Sequence, residues 1–193
     1  MSSSAKQPST TSGSTKNPIP PVIQGDHWIE PLRDGTHVLI RPLRAEDREI
    51  ETRFINRLSP ESRRLRFLCN FKEPSKQLID QLMHVDYVHD MAFVALAHDN
   101  GELREVGVSR YAATADGDQC ECAVTVADDW RKRGLAVLLM KHLIAIAREN
   151  KFKRMFSIDD VNNEAMRELA TYLGFKHESH PEDPKSAIYS LAL

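Results

Sequence analysis

A chain of 193 residues with a formal net charge of −2, 41% hydrophobic and 28% charged residues has the makeup of one globular domain with a real core. The near-neutral balance offers no overall basic field for nucleic acid, and no run approaches the ~18–20 apolar residues that a membrane span needs. Three cysteines cannot all pair with each other; Cys120 and Cys122 lie two apart on one expected strand, and none has the spacing of a zinc ligand, so a reducing, cytoplasmic setting without metal is expected.

Residues 1–25 are rich in Ser, Thr and Pro and lack an apolar h-region. They read as a disordered tail rather than a secretory signal, because they carry too little apolar area to offset the entropy of ordering. The folded domain is expected over residues 26–193. Residues 36–41 are β-branched enough for a strand that ends at Pro42. Residues 47–58 then read helical, with Ile50, Phe54, Ile55 and Leu58 at helical spacing. Ser59-Pro60 opens a second helix toward Phe67, with Ser as N-cap and Pro in the first turn. Ser75 caps a short third one carrying Leu78, Ile79 and Leu82.

Three strand-like runs follow, at residues 91–96, 106–112 and 120–126. The turn signals Asp99-Asn100-Gly101 and Asp116-Gly117-Asp118 join them into an antiparallel meander. A long helix over residues 135–150 carries the apolar stripe Leu135, Leu139, Leu143 and Ile146 or Ala147. Residues 154–158 are a short strand, and residues 163–173 a helix that Gly174 ends. Strands at 175–178 and 187–193 close the chain. The sum is an α+β fold, a mixed and mostly antiparallel sheet flanked by helices.

One junction carries chemistry. The strand ending at Val126 runs through Asp128-Asp129-Trp130 into Arg131-Lys132-Arg133-Gly134-Leu135-Ala136 and straight into the long helix. The first amides of a helix have no internal partner, and the macrodipole adds about half a positive charge there. Strand, glycine loop and helix start together suit an anion such as a diphosphate. Gly134 clears a Cβ from the approach, Ala136 keeps the surface small, and Arg131, Lys132 and Arg133 add positive charge.

Arg131-x-x-Gly134-x-Ala136 resembles the acetyl-CoA signature of the GNAT superfamily, and Asn162, Ala165 or Met166, Leu169 and Gly174-Phe175 resemble its following block. Ile40-Arg41-Pro42-Leu43, Leu58-Ser59-Pro60-Glu61-Ser62, Arg66-Phe67, Val85-Asp86-Tyr87 and Cys120-Glu121-Cys122-Ala123-Val124 look most like the catalytic domains of bacterial protein-lysine acetyltransferases. The resemblance covers about residues 36–193. It implies a GNAT-type sheet of six to seven strands, acetyl-CoA as co-substrate and an amine acceptor. The pantetheine arm would lie along Val124, Thr125 and Val126. The diphosphate would sit on the amides of Lys132, Arg133, Gly134, Leu135, Ala136 and Val137. Asn162 would bond the arm, cap the next helix, or do both. A monomer or homodimer is expected, with no nucleic acid or membrane partner.

Alternation along residues 120–126 puts Cys120, Cys122, Val124 and Val126 on one face and Glu121, Ala123 and Thr125 on the other. A carboxylate in mid-sheet needs a partner or faces a cleft, and partial burial would raise its pKa toward that of a general base. The resemblance also implies a Glu base at this position. Pairing of Glu121 with a neighbouring Arg or Lys is the structural alternative. Many superfamily members have a Tyr four residues before the Gly of the Gly-Phe pair; here that position is Ala170, and Tyr172 points elsewhere on the helix. Acceptors in view are a protein lysine or a small amine such as a polyamine, amino acid or aminoglycoside. An acyl-CoA-binding sensor without turnover is the alternative from another class. His84, His89 and His142 read as surface or packing residues, and Arg63, Arg64 and Arg66 as a solvated helix face.

Overall fold

The structure is a computed structural model that describes residues 26–193; the tail expected at residues 1–25 lies outside the described residues. Eight strands form one sheet in the order β1-β2-β3-β4-β5-β6-β8-β7. β1 (Trp28–Pro31) and β2 (His37–Pro42) precede the helices α1 (Arg48–Arg57), α2 (Pro60–Phe67) and α3 (Lys76–Leu82). β3 (Asp90–Asp99), β4 (Glu102–Ala113) and β5 (Gln119–Val126) are the expected meander. Asn100 and Gly101 both have positive φ (51° and 84°), which is what a tight hairpin turn demands. Then come α4 (Leu135–Glu149), β6 (Arg154–Asp160), α5 (Glu164–Leu173), β7 (Lys176–Ser179) and β8 (Ser186–Ala192).

The expected strands and helices form, and one strand more. β1 escapes a period-2 reading because it is four residues long and half-buried on alternate positions only. Its inward side chains are an aromatic and an acid: Trp28 packs 4.2 Å from the His142 ring, and Glu30 hydrogen-bonds His142 Nε2 at 3.0 Å. His142 is thus a packing residue, as expected.

Caps fall where the local chemistry puts them. Ser59 accepts from the Ser62 amide and Ser75 from the Leu78 amide, each satisfying one orphan donor. Gly174 ends α5 at φ 83°, a left-handed closure that side chains with a Cβ resist. α4 covers one face of the sheet with Leu135, Leu139, Met140, Leu143 and Ala147 fully buried. Helix α5 packs beside it, while α1 lies against β4 and α2 against β5 on the other face. No described helix is long and apolar enough to cross a membrane.

Candidate active site

β5 and β6 are the sheet's parallel pair, and they pair over three residues only: Gln119 with Arg154, Cys120 with Met155, Glu121 with Phe156. Beyond Glu121 the strands part. β6 goes on pairing with β8 to Asp160, and β5 with β4 to Val126. The Ala127 amide donates to the Val106 carbonyl at 2.9 Å. Because main-chain direction alternates along a strand, Val124 and Val126 turn their N–H and C=O groups away from β4 into the gap. Continuing the register of the last pair, Val124 faces Asp159 across it.

The gap opens toward the start of α4. Lys132 (φ 61°) and Gly134 (φ 88°) are left-handed, a conformation found in backbone nests that cradle anions. The first hydrogen bond of the helix runs from the Leu138 amide to the Gly134 carbonyl. The amides of Leu135, Ala136 and Val137 are therefore free of main-chain partners. The basic run, however, is not freely available. Arg131 donates to Ser62 Oγ at 2.7 Å and lies 3.1 Å from Asp128. Arg133 pairs with Asp34 at 3.1 Å and stacks over Trp130 at 4.5 Å. Of the three, Lys132 alone has no partner among the described residues. Of the positive charge expected from Arg131, Lys132 and Arg133, that of the two arginines is therefore shared with protein partners.

Asp128 latches this loop to α2. Its carboxylate accepts from the Ser59 amide at 2.9 Å, the Ser59 hydroxyl at 3.1 Å and the Ser62 hydroxyl. Burial pushes the Asp128 carboxyl up, but Ser62, Ser59 and Arg131 outweigh it and hold it below its usual range. Asp128 and Ser62 went unread as site residues because they lie 66 positions apart in sequence.

Glu121 stands at the apex of the gap. It is exposed rather than partly buried, and it makes no hydrogen bond or ion pair among the described residues. Neither the expected desolvation nor the alternative of a salt-bridged Glu is present. Its face of β5 continues through Thr125 into a recess lined by Glu51, Phe54, Arg66, Arg110 and Thr125. Burial and the nearby Arg110 bring the Arg66 guanidinium down to about 10, against the pull of Glu51, Asp159 and Glu121. Arg66 therefore belongs to the site face, not to a solvated helix face; Arg64, by contrast, reaches Asp160 at 2.8 Å. Glu51 Oε2, Arg110 Nη1, Thr125 Oγ1 and both Glu105 oxygens are buried without a hydrogen-bond partner.

On the α5 side, the helix cap is Asn163, whose Oδ1 accepts from the Met166 amide at 3.1 Å. Asn162 is exposed and tied through its amide and side chain to Asp160 Oδ1, so the capping role expected of it passes to its neighbour. Ala170 is buried and Tyr172 is 64% exposed, so no phenol enters the gap from α5. Asp159, unread in the sequence, accepts from the Ser157 hydroxyl at 2.8 Å, and burial pushes its carboxyl up. Cys120 and Cys122 are buried and free; burial drives the Cys120 thiol up to about 12 and the Cys122 thiol higher than usual as well, which makes neither a nucleophile at neutral pH.

Comparison with known proteins gives the family. Residues 57–175 match the model of the acetyltransferase (GNAT) family. The chain is 58% identical over 171 residues to the acetyltransferase PA5475 of Pseudomonas aeruginosa, spanning 89% of this chain and 92% of that protein. Among solved structures it is similar to the GNAT domain of S. lividans PAT, with TM-score 0.78 and 25% identity over 86% of this chain and 97% of that one. It shares the fold of a cAMP-binding acyltransferase from Mycobacterium smegmatis, with TM-score 0.59 and 23% identity over 86% of this chain and 47% of that one. The chain belongs to the GNAT acetyltransferase family, and it is an acyltransferase.

Proposed function

We propose that this enzyme carries an acetyl group from acetyl-CoA to the side-chain amine of a protein lysine, with Glu121 as general base. One observation carries the reading: β5 leaves β6 directly after Glu121, so a carboxylate, an unpaired strand edge and a helix start follow one another along a single path.

The residues suit that co-substrate. Val124 and Val126, flanking Thr125, offer an extended pantetheine arm the hydrogen bonds of an added strand. The amides from Lys132 to Val137 suit the diphosphate, while the space on the Cβ side of Gly134, expected to be clear, is taken by the Arg33 side chain. Asn162, exposed at the rim, is a further contact for the arm. When bound, acetyl-CoA supplies a thioester with an electrophilic carbonyl carbon. A lysine ammonium, pKa ~10.4, is almost wholly protonated at neutral pH. Glu121 accepts one ammonium proton, directly or through a water, which frees the nitrogen lone pair to attack; the nitrogen gives up its second proton to water as the amide forms and the C–S bond breaks. Ala170 brings no acid to the departing sulfur, which takes its proton from water.

The exposure of Glu121 supports a protein acceptor, because an open apex admits a side chain presented by a large partner. So does the resemblance of Cys120-Glu121-Cys122-Ala123-Val124 to protein-lysine acetyltransferases. Free Cys69, Cys120 and Cys122 fit a cytoplasmic enzyme. A small amine that also carries a carboxylate, such as an amino acid, is the second reading, because Arg66 and Arg110 line the recess beside Thr125. Incubation with isotope-labelled acetyl-CoA, a cell proteome and a panel of polyamines, amino acids and aminoglycosides separates the two. Label on protein lysines is the expected result. Label confined to small amines would replace the acceptor, and no label anywhere would overturn the proposal.

A further inference from the structure

The loop between β1 and β2 lies outside the matched family segment, yet it is docked on the start of α4. The Arg33 amide donates to the Arg133 carbonyl at 3.0 Å, and Asp34 holds the Arg133 guanidinium at 3.1 Å. A methyl group placed on the Gly134 Cα would lie 3.3 Å from Arg33 Nε and 3.4 Å from its Cγ. The Arg33 side chain therefore runs directly over the loop glycine. Arg33 is exposed and makes no side-chain hydrogen bond or ion pair among the described residues.

The loop's two arginines are already engaged, Arg131 with Ser62 and Asp128 and Arg133 with Asp34 and Trp130, which leaves Lys132 and Arg33 as its free cations among the described residues. A free guanidinium beside amides that lack acceptors suits an anion, and guanidinium geometry matches phosphate oxygens with two parallel bonds. We infer that Arg33 is a further cofactor-binding residue of this enzyme, gripping a phosphate of the CoA moiety from the β1–β2 loop. The inference rests on the proposed reading of the α4 start as the diphosphate site.

The fold also explains how a residue so far from the signature is held there. Strand β1 is strapped to α4 two turns further on, where Trp28 stacks on His142 and Glu30 bonds it. Trp28 also packs edge-on to Phe93 of β3 at 5.7 Å. The hairpin and the helix that carries the anion site therefore form one packed unit. The backbone of Arg33 is placed by that unit before any ligand arrives, so only its side chain remains to be ordered on binding.

The phosphate in question is either the diphosphate or the 3′-phosphate of the ribose, and one set of titrations assigns it. Arg33→Ala is titrated by calorimetry with acetyl-CoA and with 3′-dephospho-acetyl-CoA, beside the wild-type chain, Arg33→Lys and Arg148→Ala. Arg148 is an exposed cation at the far end of α4 and controls for loss of overall charge. Arg33→Ala is expected to raise the Kd for acetyl-CoA about tenfold, Arg33→Lys less, and Arg148→Ala not at all. A rise with both compounds places Arg33 on the diphosphate; a rise with acetyl-CoA alone places it on the 3′-phosphate. Equal affinity of Arg33→Ala and wild type for both compounds overturns the inference while leaving the site itself in place. A wild-type chain that binds neither compound overturns the reading of the site as a whole.

Discussion

The two faces of β5 are built by different means. On the α4 face, the proposed site consists of main chain: a strand edge, a left-handed glycine and the first amides of a helix. On the α1–α2 face it consists of side chains that converge from distant segments, Glu51 and Arg66 from helices and Glu105, Arg110, Glu121 and Thr125 from strands. A backbone site needs little from its side chains and costs little desolvation. A side-chain site puts charges where water is scarce, and it pays in stability what it gains in chemistry.

If that division is right, the faces can be damaged separately. Glu121→Gln removes the proposed base and leaves the strand edge and helix start untouched. It is expected to lower kcat at least tenfold while the Kd for acetyl-CoA stays within the error of calorimetry. An unchanged kcat would take Glu121 out of the mechanism, and a matching loss of affinity would show that the faces are not separable.

The smaller expected effect concerns the stability cost of the side-chain face. Glu105 is 3% exposed; burial, then the neighbouring Glu51 and Asp47, push its carboxyl well above the ordinary 4.5. The folded state thus holds this proton more tightly than the unfolded chain does. Stability contributed by the neutral form is present below about pH 4.5 and falls as the pH rises above it. Glu105→Gln, neutral at all pH, is expected to melt a few degrees above wild type at pH 8, at about 2–4 °C per kcal/mol for a chain of this size. At pH 4 the two should nearly coincide. A lower melting temperature at pH 8 would mean that the ionised carboxylate is a needed partner of Arg41 or Arg110.

The same division decides what could be read from the sequence. The caps at Ser59 and Ser75 and the alternation around Glu121 are local, and each appears in the structure where capping chemistry and periodicity put it; Arg131-x-x-Gly134-x-Ala136 is local too, and it falls between the strand and the long helix. Asn162 and Asn163 show the limit of local reading. Both are good N-caps, and the choice falls to Asn163 because Asp160 claims Asn162 and the helix begins at Glu164. The exposure of Glu121, the Asp128 latch, the Arg66–Glu51–Arg110 recess and the Arg33 strap are tertiary. Their partners are brought together by strand order, and no spacing in the chain announces them.

Hydrogen exchange tests the central claim most directly. Acetyl-CoA should slow exchange across residues 122–138, most at the unpartnered amides of Leu135, Ala136 and Val137, and should do so far less in Gly134→Val, where a β-branched residue meets φ 88° and Arg33. Unchanged exchange over those residues in the wild-type chain at saturating acetyl-CoA, or equal protection in Gly134→Val, would contradict the account.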